Sequence, residues 1–170
     1  MEKLWSPWRT QYIDSFKHKS KDKEETCVLC ELVKENPEEP DNLVVDKGAF
    51  TFTVLNLFPY NNGHLMIVPF RHTSDFSNLT KDEKIEVMDK LQIAEEALKL
   101  ISSPEGFNIG ANVGRAGGAG IDSHIHFHIV PRWNGDTNFM PVLGEVKIIS
   151  QDLLDTKKKL LEAYTKLKQQ

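Results

Sequence analysis

Ser123-His124-Ile125-His126-Phe127-His128-Ile129-Val130 is the stretch on which the reading of the fold turns. Polar and apolar residues alternate strictly along it, the pattern of a β-strand with one apolar and one polar face. Ile125, Phe127 and Ile129 are therefore expected to face the core. His124, His126 and His128 are expected on the opposite side, lining a surface or cleft, with backbones about 6.6–6.8 Å apart from one histidine to the next. Three of the chain's six histidines fall in this one run, which argues against an exposed strand that merely happens to carry them. The outer pair would stand about 13 Å apart, too far to share one metal ion, so the row reads as catalytic and not as a single metal site.

Outward from the row, other strands precede it. Leu43 to Val45, Phe50 to Leu55 and His64 to Phe70 are rich in Val, Ile, Phe and Thr, with Tyr60-Asn61-Asn62-Gly63 as a turn signal before the last. They read as an antiparallel meander. Thr80 and Glu83 form a capping box that opens a long helix, and Val87, Leu91, Ala94, Leu98 and Ile101 recur along it as one apolar stripe. Ser102-Ser103-Pro104 ends it. Phe107 to Val113 is a further strand, and Gly114-Arg-Ala-Gly-Gly-Ala-Gly120 joins it to the histidine row. Val146 to Ile149 is strand-like, and past Ser150 a last helix carries Leu153, Leu160, Tyr164 and Leu167 on one face. The fold class is α+β, an antiparallel sheet with a long helix packed on it and a C-terminal helix.

The chain has 170 residues, 39% of them hydrophobic, which suits one compact domain across 1–170 with an N-terminal arm, 1–26, and a C-terminal helical extension, 150–170. A net charge of −4 argues against a general nucleic-acid or membrane binder, since both need a positive field. The first residues lack the apolar run of a signal peptide or membrane span, and a cytoplasmic location is expected. The lysines between Phe16 and Glu25, with His18 among them, read as a solvated loop. Trp5, Trp8 and Trp133 read as packing residues, although stacking on a base fits the sequence equally. Cys27 and Cys30 are the only cysteines, and their spacing allows half a metal site or a redox pair.

Neutral imidazole is a good nucleophile toward phosphorus and leaves an exchangeable phosphorus–nitrogen bond. The glycine-rich loop beside the row can turn backbone amides toward an anion. Gly63-His64 together with His124-Ile-His126-Phe-His128-Ile-Val130 resembles the signature of the histidine triad (HIT) family. The resemblance runs from Cys27 to about Trp133. Leu4-Trp-Ser-Pro-Trp-Arg9 and Pro131-Arg-Trp-Asn-Gly-Asp136 are similar to the bacterial branch with diadenosine polyphosphate (Ap4A) phosphorylases and hydrolases.

The resemblance implies an enzyme that attacks the α-phosphate of a nucleotide conjugate and, by analogy, a homodimer. It implies His126 as the nucleophile, His128 as its phosphate-contacting neighbour and His64 beside them. Asn56, Asn112 and the amides around Gly118 would contact the nucleotide, with a plain turn role as the alternative for Asn56. Four residues before the triad, where several dinucleotide-hydrolysing members carry glutamine, this chain has Gly120. Water positioning is then open, and phosphate becomes an alternative acceptor. Cys27, Cys30, His72 and His124 would complete a Cys2His2 set for a structural zinc ion, an arrangement many bacterial members resemble. A redox pair and unbound core cysteines are the other readings. The functional alternatives are a nucleoside phosphoramidase or adenylyl-conjugate hydrolase, and a non-catalytic nucleotide-binding zinc module.

Overall fold

The computed structural model describes residues 27–34, 39, 42–136 and 152–169. Helix α1 spans Val28–Lys34; β1 Val44–Lys47, β2 Thr51–Leu55 and β3 Leu65–Pro69 follow. A 3-10 turn at Phe76–Asn78 leads to α2, Lys81–Ser102, then β4, Gly106–Ala111, β5, Phe127–Arg132, and α3, Leu153–Leu167. The five strands form one sheet in the order β1-β2-β3-β5-β4, and every neighbouring pair is antiparallel. The expected α+β class and the meander of the first three strands are therefore present. The arm before Cys27, with Trp5, Trp8 and His18, and the strand expected at 146–149 lie outside the described residues.

The capping box opens α2 as the sequence requires. Thr80 Oγ1 accepts from the Glu83 amide at 3.2 Å, and Glu83 Oε2 accepts from the Thr80 amide at 2.7 Å. Arg71 also holds Glu83, and this pairing is the main reason that its carboxyl sits at about 2. Val87, Leu91, Ala94 and Leu98 are buried against β2, β3, β5 and α3, while Ile101 is only partly covered at the helix end. Ser103 closes the helix in the left-handed conformation, φ 46°. Trp133 donates from its indole nitrogen to Ser102 O at 3.3 Å, so it packs on that helix end.

α3 begins at Leu153 with Asp152 as its N-cap, and Leu160 and Tyr164 carry its buried face. Buried Asp46 on β1 pairs with Lys90 of α2 and, at 2.5 Å, with Lys168 just past α3. Two ammonium groups on one buried carboxylate tie sheet and both helices together. Among the described residues, no helix is long and apolar enough to cross a membrane.

The histidine row departs from the expected strand. β5 starts only at Phe127, and His124 and His126 precede it in irregular backbone. The cause is a change of partner. β3 ends at Pro69, and the Ile125 amide donates to Thr73 O at 2.7 Å instead of continuing the ladder. Nor do the histidines lie on an open surface: His124 is 1% exposed, His126 4% and His128 8%. Of the apolar partners, Ile125 and Ile129 are buried, while Phe127 is partly exposed, its ring 6.0 Å from that of Phe76.

Candidate active site and metal cluster

The tight loop between β2 and β3 positions His64. Gly63 takes φ 75°, which only glycine adopts cheaply, and the Asn56 amide donates to His64 O at 2.9 Å. His64 Nδ1 accepts from the Tyr60 amide at 3.0 Å and faces Asn56 Nδ2 at 3.2 Å. With Nδ1 an acceptor, the proton of a neutral ring sits on Nε2, which lies 2.9 Å from His128 Nδ1. His128 Nδ1 is then an acceptor in turn, and its own proton is on Nε2. That nitrogen is buried with no hydrogen-bond partner. Burial, and secondarily His126, holds His128 down at about 4, so it stays neutral at pH 7. The relay ends in a fixed, unspent donor.

His126 is wired the opposite way. Its Nδ1 lies 2.8 Å from His124 O, a carbonyl that can only accept, so Nδ1 carries the hydrogen and Nε2 keeps its lone pair. Burial lowers its basicity, which keeps that lone pair free of a proton. The rings of His126 and His128 stand 4.9 Å apart, nearly perpendicular. A lone pair and a donor, both in a largely desolvated site, are the two groups needed to attack and bind one phosphoryl group.

The remaining expected residues fall out differently. Asn56 Oδ1 accepts from the Phe58 amide at 3.0 Å and its Nδ2 faces His64, so both polar ends are engaged inside the protein. Asn112 follows Ala111, which pairs with Phe127 at the end of the ladder, and is half-buried. In the glycine-rich loop the amides of Gly117, Gly118 and Ala119 donate to the carbonyls of Gly114 and Arg115. These three amides serve the turn itself, which differs from an open anion nest. Gly120 is exposed. Tyr60 was not anticipated by the sequence reading, and its ring lies 4.6 Å from His64 and 5.6 Å from His128. The only available signal was an aromatic residue inside the turn before Gly63.

The second cluster joins four distant residues. Cys27 Sγ lies 3.4 Å from His124 Nδ1, and Cys30 Sγ lies 3.5 Å from that atom and 3.4 Å from His72 Nδ1. One ligand atom from each of the four sits within 4.8 Å of the others. A tetrahedral zinc ion with bonds of about 2.3 Å to sulfur and about 2.0 Å to nitrogen sets S···N edges of about 3.5 Å, which these separations match. His124 Nε2 lies 2.9 Å from Pro69 O and must donate to it, leaving Nδ1 as the ligand atom. Burial, then Cys27, pushes the Cys30 thiol up to about 11, a cost that a bound cation would reverse by taking the thiolates. The residues present fit zinc.

Residues 36–135 match the HIT domain. The chain belongs to the HIT domain family. An AP-4-A phosphorylase of Mycobacterium tuberculosis is 38% identical over 168 residues, covering 98% of this chain and 86% of that protein. An adenosine 5'-monophosphoramidase of Candida albicans is 27% identical over 111 residues, 63% of this chain and 70% of its own length. Among solved structures, a zinc-bound histidine triad family protein from Mycobacterium smegmatis matches with a TM-score of 0.68 at 23% identity, covering 85% of this chain and 96% of that one. That likeness extends the HIT assignment to the fold.

Proposed function

We propose that this HIT protein is a nucleotidyl hydrolase or transferase that cleaves dinucleoside polyphosphates such as diadenosine tetraphosphate through a nucleotidyl-histidine at His126. The observation that carries the reading is the opposed wiring of His126 and His128, one presenting a lone pair and the other a hydrogen. In the first step His126 Nε2 attacks the α-phosphorus, a phosphorus–nitrogen bond forms, and the phosphorus–oxygen bond to the leaving group breaks with its electron pair. His128 donates from Nε2 to the oxygen that gains charge, and His64 keeps it in the right tautomer. In the second step an acceptor oxygen attacks the adduct and returns the electron pair to His126.

The similarity to the Mycobacterium tuberculosis phosphorylase supports the dinucleotide substrate. With Gly120 where several hydrolysing members carry glutamine, phosphate is the acceptor we favour. ADP plus ATP from diadenosine tetraphosphate, dependent on phosphate, is the expected outcome; AMP plus ATP without phosphate dependence rejects phosphorolysis. The Candida albicans relative supports phosphoramidase activity as a second reading with the same histidines. Asn112 and the backbone around Gly118 border the nucleotide in this reading, and Asn56 acts through His64. Zinc at Cys27, Cys30, His72 and His124 would be structural, since four protein ligands leave no position for substrate. The single HIT-like domain, the cytoplasmic location and a homodimer remain part of the proposal; β4 is an edge strand among the described residues, a surface a second copy can pair with. The decisive test is an acid-labile nucleotide adduct trapped on the wild type and absent from His126→Ala. An adduct of equal yield on the variant rejects the assignment.

A further inference from the structure

Tyr60 touches the histidine relay twice, once with its backbone and once with its ring. Its amide donates to His64 Nδ1 at 3.0 Å and so sets the tautomer from which the relay starts. Its ring lies 4.6 Å from the His64 ring and 5.6 Å from the His128 ring, tilted by 37° and 35°. The two imidazoles are themselves 5.0 Å apart. Three rings thus form a triangle at aromatic contact distances, and the 2.9 Å bond between His64 Nε2 and His128 Nδ1 runs along one of its edges.

The turn holds the Tyr60 ring in place from both sides. Before it, Pro59 restricts the backbone, and Asn56 Oδ1 accepts from the Phe58 amide at 3.0 Å. After it, Asn61 Nδ2 donates to Pro131 O at 3.2 Å and to Asp136 Oδ2 at 2.8 Å. Pro131 lies on β5, the strand of His128, and Asp136 is paired with Arg132 of the same strand. The turn that carries Tyr60 and the strand that carries His128 are therefore fastened to each other directly.

His128 needs such support. Its Nδ1 accepts from His64, while its Nε2 has no hydrogen-bond partner among the described residues. An imidazole held at one nitrogen can turn about its Cβ–Cγ bond, and a water molecule that reached this bond would compete for both of its ends. An aromatic face against both imidazoles opposes the two events together, by contact and by keeping water off a pair that is 0% exposed at His64 and 8% at His128.

We infer that the Tyr60 ring is a positioning group for the transfer reaction, packing on His64 and His128 so that His128 stays in the orientation and tautomer that donate from Nε2. The inference rests on the nucleotidyl-transfer reading above and adds to it a residue that acts through His128. It assigns the work to the aromatic face and not to the hydroxyl.

The experiment compares the wild type, Tyr60→Phe and Tyr60→Ala; both substitutions keep the amide that bonds to His64. It measures kcat and KM on diadenosine tetraphosphate with phosphate present, and follows the ring nitrogens of His128 by nitrogen NMR at neutral pH, assigned against His128→Asn. Removing one preorganised donor costs about 100-fold or more in kcat, so a His128 misplaced for part of the time should cost about tenfold. The expected result for Tyr60→Ala is that fall in kcat with KM within about twofold, and for Tyr60→Phe a recovery to within about threefold of the wild type. His128 should show one tautomer, protonated at Nε2, in the wild type and Tyr60→Phe, and a mixture in Tyr60→Ala. If the alanine variant does not fold, Tyr60→Leu, which keeps bulk without an aromatic face, replaces it with the same expectations.

A phenylalanine variant as impaired as the alanine one overturns the inference, since the hydroxyl would then be the active part. So does an alanine variant with wild-type kcat, and so does a fall in kcat with the His128 tautomer unchanged, which would place the ring on the substrate. A wild type inactive on both diadenosine tetraphosphate and adenosine phosphoramidate rejects the nucleotidyl-transfer reading by itself, and the NMR comparison still decides the hold of Tyr60 on His128.

Discussion

A His128→Asn substitution should flatten the dependence of stability on pH, because the structure keeps His128 neutral where the unfolded chain protonates it. The ring is 8% exposed, and burial lowers it from 6.5 to about 4. Above pH 6.5 both folded and unfolded forms are neutral, so the group contributes no slope. Between 6.5 and 4 the unfolded chain takes up a proton that the folded chain refuses, so stability falls as the pH falls. Below 4 both forms are charged and the slope ends. Those two values give a loss of about 2 kcal/mol between pH 7 and pH 5 from this one side chain. Asparagine places a polar group near the former Nδ1, within reach of His64, and does not titrate. Urea unfolding of wild type and variant at pH 7 and pH 5, at one ionic strength, reads the effect. Groups that do not touch His128, the metal cluster among them, contribute to both proteins and cancel in the difference. The wild type should lose about 2 kcal/mol more than the variant over that interval. Parallel losses, with equal m-values, would refute the burial argument and with it the neutral-donor role of His128.

Cys30→Ser should lower bound zinc from one equivalent per chain to well below it and destabilise the fold. Metal analysis together with thermal unfolding in the presence and absence of a chelator checks this; chelator-insensitive unfolding of the wild type would contradict a structural metal. Gly63→Ala combines a φ of 75° with a Cβ placed 2.9 Å from Leu98 Cδ2, so a loss of about 1–2 kcal/mol is expected in denaturant unfolding. Unchanged stability there would mean that the turn before His64 relaxes freely.

Local patterns were legible wherever one element decides them. The capping box at Thr80 and Glu83, the apolar stripe from Val87 to Leu98 and the meander through Phe50 to Phe70 needed only spacing and side-chain type. Strand ends were less legible, because Pro69 and Thr73 set where β3 stops and where the histidine row leaves the ladder. The glycine-rich loop shows the same limit. Its composition marks flexibility of the backbone, but which amides bond to Gly114 and Arg115 depends on how the loop closes.

By itself the sequence determined the groups available: alternating histidines whose ring nitrogens can offer a lone pair or a hydrogen, a cysteine pair that suits a soft cation, and a helix and sheet to carry them. Tertiary structure decided how each imidazole is used. His124 is turned to the cysteines by Pro69, His126 is fixed by the His124 carbonyl, and His128 is fixed by His64, which the Tyr60 amide holds in turn. Three identical side chains two residues apart have the same chemistry until their ring nitrogens find different partners. Those partners come from residues up to 97 positions away, as with Cys27 and His124, and no local pattern encodes them.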